Sequence, residues 1–120
     1  MNPKDPIVFY NRGVCKYDLG DNTGSIDDYS KALELDLKYE DAWYNRGVSR
    51  YSAGDYSNAL QDYIKTTDLN PKGADAWYGR GLTEQKLENL AKACDAWTKA
   101  VELGDTTAQE MIEKYCLEVN

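Results

Sequence analysis

The residues that could do chemistry are few, and their surroundings narrow what they could do. The chain has three Cys, at positions 15, 94 and 116, without CxxC spacing, and it has no His. Lack of His removes the commonest general base, the Ser–His and Cys–His nucleophile pairs and most zinc sites. Gly79-Arg80-Gly81 has a GxG form, which alone is a weak sign of a phosphate loop. The adjacent Asp27 and Asp28, like the scattered Glu and Asp, read as solvated faces and not as a catalytic carboxylate pair. No enzyme activity, catalytic residue, metal or cofactor is therefore expected. The chemistry left is recognition by tyrosines, amides and guanidinium groups. Tyr10-Asn11-Arg12-Gly13-Val14 recurs as Tyr44-Asn45-Arg46-Gly47-Val48, and more loosely as Tyr78-Gly79-Arg80-Gly81-Leu82.

Each recurrence is 34 residues on. Aligned from Pro6 and Glu40, 13 of 34 positions are identical; aligned from Glu40 and Ala74, 9 of 34 are. One register held over three copies identifies a repeat array. Each copy reads as two helices. The first helices are expected at about 6–19, 42–53 and 76–87, the second at about 22–35, 56–69 and 90–103. Gly20-Asp21 and Gly54-Asp55 supply a C-cap Gly followed by an N-cap Asp. In the third copy Glu88-Asn89 stands there, and Asn is expected to take the left-handed conformation. Asp5-Pro6 is a good helix start. Gly13, Gly47 and Gly81 fall mid-helix, where Gly costs about 1 kcal/mol against Ala. That recurrent cost points to close approach of the paired helices. Ala108, Met111, Ile112, Tyr115 and Cys116 form one apolar stripe of a seventh helix near 106–117, capped by Asp105 or Thr106. Gln109, Glu110, Glu113, Lys114 and Glu118 would be its wet face.

These residues carry a resemblance to the tetratricopeptide repeat family, over roughly residues 6–105. Its pattern of an aromatic, Leu-Gly, Tyr, Ala, an aromatic and a final Pro is met by Trp43, Gly47, Ala59, Tyr63 and Pro71. Arg46 replaces the usual Leu, and the expected Tyr comes one residue late, at Tyr51. The third copy supplies Trp77, Gly81, Ala93, Trp97 and Ala100. The first is the most divergent, with Phe9, Gly13, Ser25, Tyr29, Ala32, and Leu37 in place of Pro. The segment from Ala93 to Cys116 is similar to the closing segment of many bacterial members. The fold implied is an all-α solenoid: one domain over 1–120, with repeats at about 6–39, 40–73 and 74–105 and a capping helix at about 106–118.

The resemblance implies a protein-binding scaffold whose first helices line a concave groove. Its expected residues are Tyr10, Asn11, Tyr44, Asn45, Val48, Tyr51, Tyr78 and Leu82, with Val14, Tyr17, Gly79 and Gln85 at the remaining repeat-phased positions. Asp41 and Asp75 add negative charge. Three readings of this surface stand open. The tyrosines are consensus packing residues; or they anchor a peptide while Asn side chains bond its backbone; or the chain is a self-associating segment of a larger assembly, with Val8 and Cys15 on an open edge. A monomer is expected over a dimer. Relatives that hold acidic chaperone tails use two Lys, two Asn and an Arg. The corresponding places here are Tyr10, Val14, Asn45, Asp75 and Gly79, of which only Asn45 fits, so such tails are not expected partners.

Composition bounds the rest. Hydrophobic residues at 42%, with ten Tyr and three Trp, argue against disorder. A net charge of −7 disfavours nucleic acid and anionic membranes and favours basic or apolar peptides. No apolar run nears the ~20 residues of a membrane span. The N-terminus has no signal-peptide h-region. A cytoplasmic protein is the default expectation, the other option being a mature or excised part of a longer one. Cys15 is expected in the core of the first helix. Cys94 and Cys116 lie on helices expected to be neighbours, and whether they bond is left open. Arg12, Arg46 and Arg80 stand where the family has a buried Leu. Pairing within a repeat would give Arg12–Asp28 and Arg46–Asp62 and strand Arg80. Ala96, aligned with Asp28 and Asp62, favours pairing with the preceding repeat, as Arg46–Asp28 and Arg80–Asp62, which leaves Arg12 at the open end.

Overall fold

Each helical hairpin turns on one residue of positive φ. The computed structural model describes residues 4–117 and places in them seven helices and no strand. These are α1 (Pro6–Asp18), α2 (Asn22–Leu35), α3 (Glu40–Ser52), α4 (Tyr56–Leu69), α5 (Ala74–Lys86), α6 (Leu90–Glu102) and α7 (Thr106–Tyr115). Gly20 and Gly54 turn the first two hairpins at φ +83° and +82°. The third turn falls on Glu88, at φ +66°, and not on Asn89. Glu88 lies 34 residues after Gly54, so repeat phase and not residue preference decides which residue goes left-handed. Asn89 takes the N-cap place that Asp21 and Asp55 hold in the other copies.

The helix starts follow the local chemistry. Asp5 caps α1, its Oδ1 accepting from the Ile7 amide at 2.9 Å, with Pro6 in the first turn. Asp105 caps α7 by accepting from the amides of Thr107 and Ala108. Helices α3 and α5 begin two residues earlier than expected. Their extra first turns carry Glu40, Asp41 and Asp75, whose charge suits a helix N-terminus.

Consecutive helices pack in order from α1 to α7, and the first helices also touch one another, α1 on α3 and α3 on α5. The result is an elongated stack of 53 × 25 × 20 Å. Glycine makes the close contacts. A Cβ on Gly47 would lie 3.0 Å from the Tyr63 ring of its own hairpin, and one on Gly79 would lie 2.9 Å from that same ring, across the repeat boundary. The tight approach expected at Gly47 is thus present, and Gly79 adds a second one between neighbours. Repeats are also linked by a recurring indole bond. Trp43 Nε1 donates to the Leu37 carbonyl and Trp77 Nε1 to that of Pro71, each at 2.8 Å.

The C-terminal core is built on Ala93, Trp97, Ala100 and Ala108, with Met111, Ile112 and Tyr115 of α7 packed against it. A disulfide joins Cys94 of α6 to Cys116 at the end of α7, with Cα atoms 5.8 Å apart. Gln109, Glu110, Glu113 and Lys114 face solvent, while Glu118 lies outside the described residues. Cys15 is not in the core: it is free and exposed. Its equivalents Ser49 and Thr83 are fully buried, Ser49 accepting a hydrogen bond from Ser25 Oγ of the preceding hairpin. That position belongs to the face between hairpins, and among the described residues nothing packs there on α1.

Candidate functional site

The expected groove residues all lie on the first helices. Tyr10, Tyr44 and Tyr78 are each half-buried, as are Asn45, Val48, Tyr51 and Leu82, while Asn11 is exposed. Their rings rest on the second helices or on the next link. Tyr10 packs on Tyr29 and Tyr39 with centroids 5.8 and 5.0 Å apart, Tyr44 on Tyr63 at 5.8 Å, and Tyr51 on Tyr56 at 5.1 Å. Tyr78 and Leu82 join the C-terminal core. Asn45 Nδ2 donates to the Tyr10 hydroxyl at 2.7 Å, a bond between repeats. Asn45 was the one residue suited to a chaperone-tail clamp, and its amide is already engaged.

Carboxylates accompany this row. Burial, reinforced by Asp41, raises the Tyr10 hydroxyl above its ordinary pKa. Burial also raises Tyr44, with Asp75 and Asp105 adding to it, and Tyr78, with Asp105 and Glu110 adding to it. Every tyrosine of the row is therefore a neutral hydroxyl, able to donate or accept, beside negative charge. A cleft of about 260 Å³ opens here between the starts of α3 and α5, lined by Asp41, Tyr44, Thr66 and Asp75.

On another side of the same helices lie the arginines, and they pair within their own repeats. Arg12 Nε and Nη2 donate to the two carboxylate oxygens of Asp28 at 2.9 and 2.7 Å. Arg46 clamps Asp62 in the same way at 3.0 and 2.8 Å. The expected Arg46–Asp28 and Arg80–Asp62 pairs do not form. Each Arg immediately precedes a packing Gly, and each Asp immediately precedes the Tyr that packs on that Gly. The Gly–Tyr contact sets the register of the hairpin and carries Arg to the Asp of its own repeat. What an Arg reaches in the preceding repeat is a hydroxyl, Ser30 Oγ for Arg46 and Thr67 Oγ1 for Arg80, each at 3.0 Å.

A second cation completes each carboxylate. Lys16 Nζ lies 2.9 Å from Asp28 and Arg50 Nη1 3.0 Å from Asp62. Neither was anticipated, although the signal is present in Arg12/Lys16 and Arg46/Arg50, each pair four residues apart on one helix face. The Arg12 hydrogen bond holds the Asp28 carboxyl below its ordinary pKa, against the opposing effect of burial and with help from Lys16. The guanidinium groups also stack on the aromatic three residues earlier: Arg12 over Phe9 at 5.4 Å, Arg46 over Trp43 at 4.9 Å and Arg80 over Trp77 at 4.6 Å. These centres hold the hairpins together and leave no free nucleophile or base among the paired groups. Among the described residues no cluster of His, Cys, Asp and Glu could hold a metal ion, and no helix is long and apolar enough to cross a membrane.

The repeat geometry agrees with the sequence comparisons. One family model, described as a TPR repeat, matches residues 16–52, and a second, described as a tetratricopeptide repeat, matches residues 40–72. Residues 16–72 thus match the tetratricopeptide repeat family. Among solved structures it is similar to the first TPR of Spaghetti bound to an HSP90 peptide, SRMEEVD, with a TM-score of 0.91 at 20% identity, covering 99% of this chain and 96% of that one. It is similar to YrrB, a TPR protein described as having an unusual peptide-binding site, with a TM-score of 0.86 at 25% identity, covering 95% of this chain and 58% of that one. It is also similar to the MamA protein, with a TM-score of 0.81 at 25% identity and 97% of this chain covered. The chain spans about 61–64% of the length of two such MamA structures. No curated protein matches the chain. Tetratricopeptide repeat proteins are in general interaction modules, and this chain is an all-α repeat solenoid of that kind.

Proposed function

We propose that residues 1–120 act as one non-catalytic domain that binds a basic or apolar polypeptide segment along the tyrosine face of α1, α3 and α5. The observation that carries this reading is the half-buried row of Tyr10, Tyr44 and Tyr78 with Asp41, Asp75, Asp105 and Glu110 beside it. Rigid aromatics offer contact area at small entropic cost, and the carboxylates favour a cationic chain. Acidic chaperone tails are excluded on the same ground. The peptides bound by structural relatives support the mode of binding and not the identity of the partner.

Tyr44 and Asn45 are poor probes, because both also pack or bond within the fold. Asp41 and Asp75 are exposed and serve better. Calorimetric titration with a Lys/Leu peptide should give saturable binding, and the matching Glu/Leu peptide should give none. The double variant Asp41→Lys/Asp75→Lys should lose the Lys/Leu peptide while keeping its helical spectrum. Equal binding of the two peptides, or unchanged binding by the variant, rejects the reading. Self-association is the second reading, favoured by Ile7, which is 55% exposed on α1, and by the exposed Cys15, whose equivalents Ser49 and Thr83 are buried between hairpins. A concentration-dependent dimer on gel filtration, abolished by Ile7→Glu, would support it in place of a monomeric scaffold.

A further inference from the structure

Three copies of one hairpin in a single chain make each copy a control on the others. In the first two, the guanidinium before the packing Gly is met by a buried Asp of the facing helix, and a second cation one turn later touches the same carboxylate. The third copy changes both partners: Ala96 stands in place of the Asp, and Glu84 in place of the second cation. Arg80 keeps its stacking on Trp77 and its bond to Thr67, but its Nε is buried and no group among the described residues accepts from it. A buried N–H without an acceptor is costly, and the structure contains two examples of what relieves that cost.

Arg80 and Ala96 both line a cleft of about 520 Å³ between α4, α5 and the first half of α6. Trp77, Arg80, Glu84 and Ala96 line it, with Leu60 and Ile64 of α4 as an apolar wall. Its rim carries the exposed Lys92 and Asp95. Trp77, Arg80 and Glu84 share one helix face by their spacing of three and four. Tyr78 and Leu82 lie on a different side of α5, so this cleft is separate from the tyrosine face.

The charges decide what could enter. In the first two copies two cations surround one carboxylate. Here the lining carries Arg80 and Lys92 against Glu84 and Asp95, which sums to zero. An incoming carboxylate would meet Glu84, only 7% exposed, where its counterparts meet a cation. An incoming ammonium would meet Arg80. A neutral group holding both an acceptor and a donor satisfies both walls. A carboxamide does so: its oxygen accepts from Arg80 Nε, its NH₂ donates to the Glu84 carboxylate, and its methylenes lie on Leu60 and Ile64.

We propose that the Arg80–Glu84–Ala96 cleft is a second contact site, which takes the side-chain carboxamide of an Asn or Gln presented by a partner polypeptide.

The test is a titration of the full ¹⁵N-labelled chain, followed at the Arg80 Nε–H signal. The probes are acetylated Gly-Gln-Gly, Gly-Glu-Gly and Gly-Lys-Gly amides. The Gln peptide should shift the signal saturably and bind roughly tenfold tighter than the Glu or Lys peptide, the ratio expected of one hydrogen bond to a charged group. Ala96→Asp rebuilds the internal carboxylate of the first two copies and should abolish the shift. Should that variant fail to fold, Arg80→Lys keeps the charge and removes Nε. Followed through the Trp77 indole signal, it should lose the preference for Gln. Tighter binding of the Glu peptide, no shift with any peptide, or an undiminished Gln response in the folded variants would each overturn the proposal. Asp41→Lys/Asp75→Lys should leave the Gln response intact, so failure at this cleft and failure at the tyrosine face are distinguishable.

Discussion

At the scale of single residues, the strongest determinants are Asp28 and Asp62, whose side chains are 1% exposed. Truncating one partner of a largely buried pair leaves the other charge uncompensated. Arg46 is 13% exposed in its pair, whereas Arg12 is 41% exposed. Asp62→Ala should therefore destabilise the chain by about 3–5 kcal/mol in urea unfolding, with a smaller loss for Asp28→Ala. The pH dependence has a definite sign. The Asp28 pKa is lowered by Arg12, so its contribution is full above the ordinary carboxylate value near 3.8 and is lost as pH falls through the depressed native value. The unfolding curves of the parent chain and Asp28→Asn should accordingly differ at neutral pH and converge in acid; a constant gap down to low pH would exclude this linkage. The sequence carried the residues of these pairs but not their pairing. Arg12, Asp28, Arg46 and Asp62 were all conspicuous. The choice between own and preceding repeat depends on the register of Gly47 on Tyr63, which is a packing property that residue spacing does not contain.

Elements were far more legible, because helix ends and apolar periodicity are local. The seven helices were readable to within two residues at each end, and the exceptions have local causes. One is Glu88, whose left-handed backbone is imposed by the repeat on a residue that disfavours it, at a cost of about 1 kcal/mol. Glu88→Gly should raise stability by about 0.5–1 kcal/mol, the gain being limited by the extra freedom Gly has when unfolded. A variant no more stable than the parent would mean the turn carries no such strain. The other case is α7. Its stripe was visible, but a disulfide depends on a Cα distance of 5.8 Å that no pattern supplies. The bond closes a loop with a sequence separation of 22 residues, and a loop of that length corresponds to about 3 kcal/mol in the chain-entropy account. Cys94→Ser/Cys116→Ser should lose up to about that amount. A chain ending at Gly104 should do worse and aggregate, since it also uncovers Trp97 and Ala100.

For the whole molecule, shape and charge act together. The stack is 53 Å long and 25 Å wide and carries a net charge of −7. The buried carboxylates do not carry its negative outer field, because Asp28 and Asp62 each lie against two cations and each such centre has a net charge of +1. The unpaired negative charge lies on the surface, and part of it lines the tyrosine face through Asp41, Asp75, Asp105 and Glu110. A charged surface of this kind raises the rate of encounter with a cation more than it lowers the rate of escape, and salt screens it over about 8–10 Å. The association rate of the Lys/Leu peptide should therefore fall steeply, by roughly tenfold or more, as salt rises from low to several hundred millimolar, while its dissociation rate changes little. In Asp41→Lys/Asp75→Lys the residual association should be nearly flat with salt. Stopped-flow measurement over that range decides the point: a salt-dependent dissociation rate with a constant association rate would place the carboxylates in direct contact with the bound chain and not in its steering.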